Sequence, residues 1–295
     1  MTDRYNELLE LYQCESVDDE AIKIDIDEIL AKHFAENATK EVYAKCLNLI
    51  DLTSLNSTDT EGEIVSMVEK VNHFKSAFPH LSNVAAICVY PALIPAVKSH
   101  LTEENVGIAS VAAGFPSSQT FIEVKIAETS MVVNEGASEV DVVISVGKFL
   151  EGNYSEVYDE LSEIKAACRN AHLKVILETG ALKTSVNIKK AAILAMSAGA
   201  DFVKTSTGKI QISATLEATY IICHAIKEWY EKTGQKIGYK PAGGISTTEE
   251  AVKHYTLVKH ILGEEWLNNQ LFRFGASRLA NHLLSSIEGK EIKYF

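Results

Sequence analysis

Apolar positions along the chain follow two alternating rhythms. From about residue 44 onward, short runs rich in β-branched residues alternate with longer segments whose apolar residues recur every three or four positions. That alternation predicts repeated strand–helix units around a parallel sheet. The strands are expected at residues 44–53, 83–90, 106–114, 139–145, 172–180, 201–206, 236–244 and 271–277. Between them, segments such as TFIEVKIAETSMVVNEGA and SVNIKKAAILAMSAGA read as amphipathic helices. Eight such pairs predict an α/β fold, a closed (βα)8 TIM barrel, and the usual barrel length of about 250 residues suits a chain of 295. The rival architecture, an open doubly wound sheet, normally places a GxGxxG turn after its first strand, whereas here the strand runs into DLTSLNST without a glycine.

Residues 1–43 stand outside the repeat. Their stretch IDIDEILAKHFAENATKEVYAK, which runs just into the first expected strand, reads as one or two amphipathic helices, packed on the barrel bottom or on a partner subunit. The expected organisation is an N-terminal helical extension (1–43), the barrel (44–288) and a C-terminal tail (289–295). Assembly into a homo-oligomer is compatible with this but is not fixed by it.

Composition narrows the function. With 46% hydrophobic and 23% charged residues the chain can bury a sizeable core. A net charge of −12 argues against a nucleic-acid surface, which needs a basic face, yet leaves room for a local pocket binding a small phosphate. The start MTDRYNELLELYQC lacks the basic and apolar regions of a secretory signal, and no apolar stretch approaches ~18 residues; the expectation is a cytoplasmic protein without a membrane partner. Five scattered cysteines without a CxxC pair, and nine histidines without HxxxH spacing beside an acid, predict neither disulfides nor a metal or other cofactor.

A barrel assembles its active site at the C-terminal ends of its strands. That filter leaves Asp51 and Thr53 on the first strand, Asp141 on the fourth, Glu178 on the fifth, Lys204 on the sixth and Lys240 on the seventh. Adjacent strands lie about 4.8 Å apart, so two inward lysines would share a poorly hydrated space. Two like charges about 4 Å apart interact by roughly 4 kcal/mol at an effective dielectric near 20. Such repulsion could lower one lysine pKa by up to about three units. A neutral amine attacks carbonyls to form a Schiff base, and the imine then serves as an electron sink for making or breaking carbon–carbon bonds. The competing reading turns both lysines outward into salt bridges. Asp141, within the apolar run VDVVI, is the natural acid/base partner. Cys88 reads first as a packed thiol. Glycines gather in KTSTGK, KPAGGIS and FGASR, where backbone amides can approach a phosphate.

These segments resemble the deoxyribose-phosphate aldolase family. The resemblance is carried by IDLT (50–53), AAICVYP (85–91), AGFP (113–116), EVDVV (139–143), LKVILETG (173–180), DFVKTSTGK (201–209), KPAGGI (240–245) and FRFGAS (272–277). It spans about residues 44–285. It implies metal-free reversible cleavage of 2-deoxy-D-ribose 5-phosphate to acetaldehyde and D-glyceraldehyde 3-phosphate. By the same resemblance Lys204 is the Schiff-base lysine, Lys240 the lysine that lowers its pKa and Asp141 the proton relay. Asp51 and Thr53 match substrate-hydroxyl contacts, while Gly208, Lys209, Gly243, Gly244, Gly275 and Ser277 match the phosphate grip; Cys88, at the end of the second strand, is expected among the substrate-binding residues as well. The chain departs from many relatives in having Arg278 after the last motif, which adds a phosphate contact or displaces one. Its tail ends Lys293, Tyr294, Phe295, and the resemblance offers Tyr294 as an aid to proton transfer.

Overall fold

The computed structural model describes residues 4–295. The elements begin with α1 (Arg4–Leu11), α2 (Asp19–Asn37), α3 (Lys40–Asn48), β1 (Ile50–Thr53), α4 (Glu61–Ala77), β2 (Ala86–Val89), α5 (Ile94–His100), β3 (Gly107–Ala112) and α6 (Ile122–Glu135). They continue with β4 (Glu139–Val143), α7 (Val146–Leu150), α8 (Tyr154–Cys168), β5 (His172–Ile176), α9 (Thr179–Leu182), α10 (Ser185–Ser197) and β6 (Phe202–Lys204). The last are α11 (Leu216–Thr233), β7 (Gly238–Lys240), α12 (Thr248–Leu262), β8 (Phe274–Ala276) and α13 (Leu279–Glu288).

All eight described strands run parallel, in the order β7-β6-β5-β4-β3-β2-β1-β8. The two ends of the sheet meet through bridges pairing Tyr239 with Phe272 and Ala242 with Gly275. The Arg273 amide donates to the Tyr239 carbonyl (3.0 Å) and the Gly275 amide to that of Pro241 (2.9 Å), so the sheet closes into the expected (βα)8 barrel.

The first expected strand is shortened. Residues 44–48 belong to α3, where Thr39 accepts a hydrogen bond from the Val42 amide as N-cap and Val42, Cys46 and Leu47 form one buried face. Only IDLT has the neighbours, β2 and β8, with which to form a ladder. The barrel-bottom placement of the N-terminal helices also needs correction. The isoleucines Ile22, Ile26 and Ile29 recur on one face of α2 and are buried. The helix crosses the outer flank of α10, α11 and α12: Ser185 bonds to Asp19, Tyr220 donates to Asp25 (2.7 Å), and Asn37 donates to Thr256 (3.2 Å).

Inside the barrel, Ala86, Cys88, Ala109 and Val111 of β2 and β3 cluster with Leu55. These small side chains leave the other half of the interior to charged residues from β1 and β4–β7 and to Arg273 just before β8. Gly238 serves the same end. A Cβ there would stand 2.3 Å from the Phe202 ring, so glycine lets Phe202 fill the barrel floor.

Candidate active site

Register aligns Lys204 on β6 with Lys240 on β7, and both side chains are buried in the barrel. They are bridged rather than merely adjacent. Oδ2 of Asp141, on β4, accepts from Lys204 Nζ at 2.7 Å and from Lys240 Nζ at 2.8 Å. Lys240 also donates to Asp51. Burial pushes the Lys204 amine below the ordinary lysine value; Asp141 opposes that shift, and Lys240 adds to it. Desolvation therefore leads the effect, and repulsion between the lysines is secondary. Burial would lower Lys240 too, but Asp141 and Asp51 together hold it above the usual lysine range. One lysine is thus a held cation while the other is inclined to neutrality. Asp141 remains ionised because the lysines outweigh its burial, and its second oxygen, Oδ1, is buried without a hydrogen-bond donor.

A deeper layer escaped the strand-end filter. Lys174 on β5 donates to Asp51 (2.8 Å) and contacts Glu139. Arg273, just before β8, donates to Asp51 (2.5 Å) and to Glu139 (2.7 Å). Lys174, Asp51, Glu139 and Arg273 are all buried. Burial works against the Asp51 carboxylate, but Lys174, Lys240 and Arg273 hold its pKa well below the usual range. The available signal was charge inside apolar strand runs: Glu139 stands two residues before Asp141 on the same face, and Lys174 and Arg273 interrupt LKVIL and FRF. Asp51, expected as a substrate contact, instead sits beneath Lys240 and does not line the cleft. Cys88 faces the barrel interior as a fully buried thiol whose pKa burial pushes up to about 11, so it too is no cleft contact.

Above these layers opens a cleft of about 270 Å³ with Lys204 at its base. Thr53, Gly208, Lys209, Gly243, Gly244, Gly275, Ser277 and Arg278 all line it, which brings the remaining rim residues together as expected. Gly208, Gly243 and Gly244 have φ near +74°, +84° and +84°, a left-handed backbone suited to glycine. A Cβ on Gly275 would meet Ala242 at 2.7 Å and the Lys240 stem at 3.1 Å, so glycine makes room for the lysine layer. Glu178, itself at φ +57°, accepts from the Thr207 hydroxyl (2.5 Å) and amide (3.2 Å) and so positions the loop after β6. Lys209 reaches across to the Leu55 carbonyl.

Two helices start at this rim. That of α12 is closed by a capping box between Thr247 and Glu250, whereas α13 begins at Arg278 without a side-chain cap. Its first amides are therefore available to an anion. Tyr294 is not brought to this cleft. Asn281 on α13 accepts from the Tyr294 and Phe295 amides (2.8 and 2.9 Å), and the Tyr294 hydroxyl donates to the Lys70 carbonyl (2.7 Å) beside Phe74 and Phe78. Among the described residues, no helix is long and apolar enough to cross a membrane, and no group of three or more His, Cys, Asp or Glu side chains could hold a metal.

An amine disposed to neutrality, paired with a carboxylate beneath an open cleft, suits covalent chemistry on a carbonyl compound; fold and site define a Schiff-base aldolase, a carbon–carbon lyase. The chain belongs to the DeoC/LacD family of aldolases, whose model matches residues 45–265. It is 43% identical over 254 residues to the deoxyribose-phosphate aldolase of Homo sapiens, covering 83% of this chain and 79% of that one. The Mus musculus deoxyribose-phosphate aldolase is 41% identical, with the same coverage. Among solved structures, the tetrameric deoxyribose phosphate aldolase from Aeropyrum pernix superposes with a TM-score of 0.67 at 24% identity, covering 91% of this chain and 98% of that one, a likeness of fold.

Proposed function

We propose that the chain is a deoxyribose-phosphate aldolase that reversibly cleaves 2-deoxy-D-ribose 5-phosphate, with Lys204 as the imine-forming residue. The observation that carries the reading is the sharing of one Asp141 oxygen by Lys204 and Lys240 while the other oxygen lacks a donor. The neutral Lys204 amine adds to the substrate aldehyde and, with loss of water, forms a protonated imine. The Asp141 carboxylate, which Lys204 brings to the base of the cleft, takes the proton of the C3 hydroxyl, the C2–C3 bond breaks, and its electron pair passes into the imine as an enamine. D-glyceraldehyde 3-phosphate leaves; protonation at C2 and hydrolysis release acetaldehyde and restore the amine.

The phosphate is held by the Gly208, Gly243 and Gly244 turns and by the uncapped start of α13, with Gly275 and Ser277 beside it and Lys209 and Arg278 supplying positive charge. This activity belongs to deoxyribose and deoxynucleoside catabolism. The net charge of −12 supports a substrate other than nucleic acid. Exposed Phe121 at the N-cap of α6, with Val124 and Met131 on the helix, supports a homo-oligomer.

The test is borohydride reduction in the presence of acetaldehyde followed by peptide mapping. The expected result is an adduct on Lys204 that is absent from Lys204→Met, together with at least about a 10³-fold loss of turnover in that variant. Label on another lysine overturns the assignment. Preference for a fructose phosphate over deoxyribose phosphate overturns the substrate.

A further inference from the structure

The buried charges of the barrel form one connected set with unequal signs. Four cationic side chains, Lys174, Lys204, Lys240 and Arg273, face three carboxylates, Asp51, Glu139 and Asp141. With every group ionised the set carries one surplus positive charge. An unbalanced charge is costly in a poorly hydrated interior. The surplus could be shed at any of the four, but three are tied down. Arg273 does not deprotonate, Lys240 is held by two carboxylates, and Lys174 lies between Asp51 (2.8 Å) and Glu139, with Asp141 Oδ1 at 3.8 Å. Lys204 has a single carboxylate and stands at the base of the open cleft.

We propose that Lys174 is a positioning residue for imine formation: together with Arg273 it saturates Asp51 and Glu139, and its charge is the surplus that the network relieves by releasing the proton of Lys204. Lys174 does not line the cleft, and its polar contacts are to carboxylates. The groups facing Lys204 are Asp141, Lys240 and the Cys88 thiol, and Lys174 reaches them through Asp141 and Asp51. The phenyl ring of Phe202 lies 5.6 Å from Lys174 Nζ and 5.9 Å from the Arg273 guanidinium, which keeps the lower layer dry.

This inference rests on Lys204 being the imine-forming residue. Its test is the pH dependence of acetaldehyde–borohydride trapping on Lys204, followed from about pH 5 to 10. Lys174→Met removes the surplus, so Lys204 should hold its proton longer and the trapping midpoint should rise by about one pH unit. Glu139→Gln enlarges the surplus and should move the midpoint the opposite way. The double variant restores the charge count and should return the midpoint to that of the parent. Thermal melts establish which variants fold; should Lys174→Met not fold, the downward shift in Glu139→Gln still decides. A purely structural role would lower yield or stability and leave the midpoints unmoved, and unmoved midpoints in folded variants overturn the inference. Parent trapping on a different lysine overturns the functional reading itself, so the two failures are distinguishable.

Discussion

Lys204 and Lys240 donate to the same oxygen of Asp141, at 2.7 and 2.8 Å, and differ in what else holds them: Lys240 has a second carboxylate in Asp51 and Lys204 does not. The proposed roles rest on that asymmetry: two carboxylates favour the ammonium form of Lys240, while burial weakens the grip of Lys204 on its proton, as the proposed nucleophile requires.

Replacing Lys240 by methionine removes a cation beside Lys204 and leaves Asp141 to Lys204 alone. Both changes strengthen proton retention on the Lys204 amine. Turnover near pH 7 should fall by about 10² to 10³, and the deficit should shrink as pH rises, because each pKa unit alters the neutral fraction about tenfold. A pH–rate profile checks this; a deficit constant across pH would contradict it.

Gly243→Ala places a Cβ 2.7 Å from Ser213 and 3.0 Å from the Gly208 Cα, at a backbone φ of +84°. The loops after β6 and β7 must then separate. Since those loops bound the cleft rather than the lysine layer, the expected outcome is a KM raised about tenfold with kcat changed only a few-fold, corresponding to ~1.4 kcal/mol of binding. Steady-state kinetics with deoxyribose phosphate separates the two constants.

Arg278 is exposed at the cleft rim next to the open start of α13. Arg278→Met should lower kcat/KM for the phosphorylated sugar by about 5- to 20-fold, the scale of one charge-assisted contact, and leave unphosphorylated deoxyribose unaffected. Equal losses on both substrates would remove Arg278 from the phosphate grip.

His254, on α12, is buried with its Nδ1 2.7 Å from the Thr219 hydroxyl, and burial pushes its pKa down to about 4. The neutral ring is the folded form. Its stabilising contribution is complete above the unfolded value of about 6.5 and is lost as pH falls toward 4. Between pH 7 and 5 it should account for about 2 kcal/mol of lost stability. The depressed carboxylates Asp51, Asp141 and Glu139 act in the same direction but only below about pH 4. Urea unfolding of His254→Gln at pH 7 and 5 should show a loss smaller by that amount.

The barrel could be read from the chain because each of its elements is specified locally. Period-two and period-3.6 apolar patterns depend only on near neighbours, and the longer helices, such as Ile122–Glu135 and Ser185–Ser197, fall where that periodicity places them. The first strand was over-extended for the same reason: residues 44–48 are apolar enough for either element, and only the pairing partners of Ile50–Thr53 separate strand from helix.

Lys204, Lys240 and Asp141 were accessible because strand-end polarity within apolar runs is a sequence feature. Lys174, Glu139 and Arg273 were not, since nothing along the chain says which buried charges will meet; Lys174 and Asp51 are 123 residues apart. The local sequence could only propose that two lysines repel. The closed barrel sets a shared carboxylate between them and a second ion layer below, because curvature brings the inward face of every strand to one axis. Tyr294 lies at the other extreme. The sequence allowed its tail to reach the cleft, but backbone bonds to Asn281 and a pocket of aromatic rings hold it against α4. Strand, helix and reactive residue types are thus written in local pattern, while charge balance and the choice of nucleophile are properties of the assembled interior.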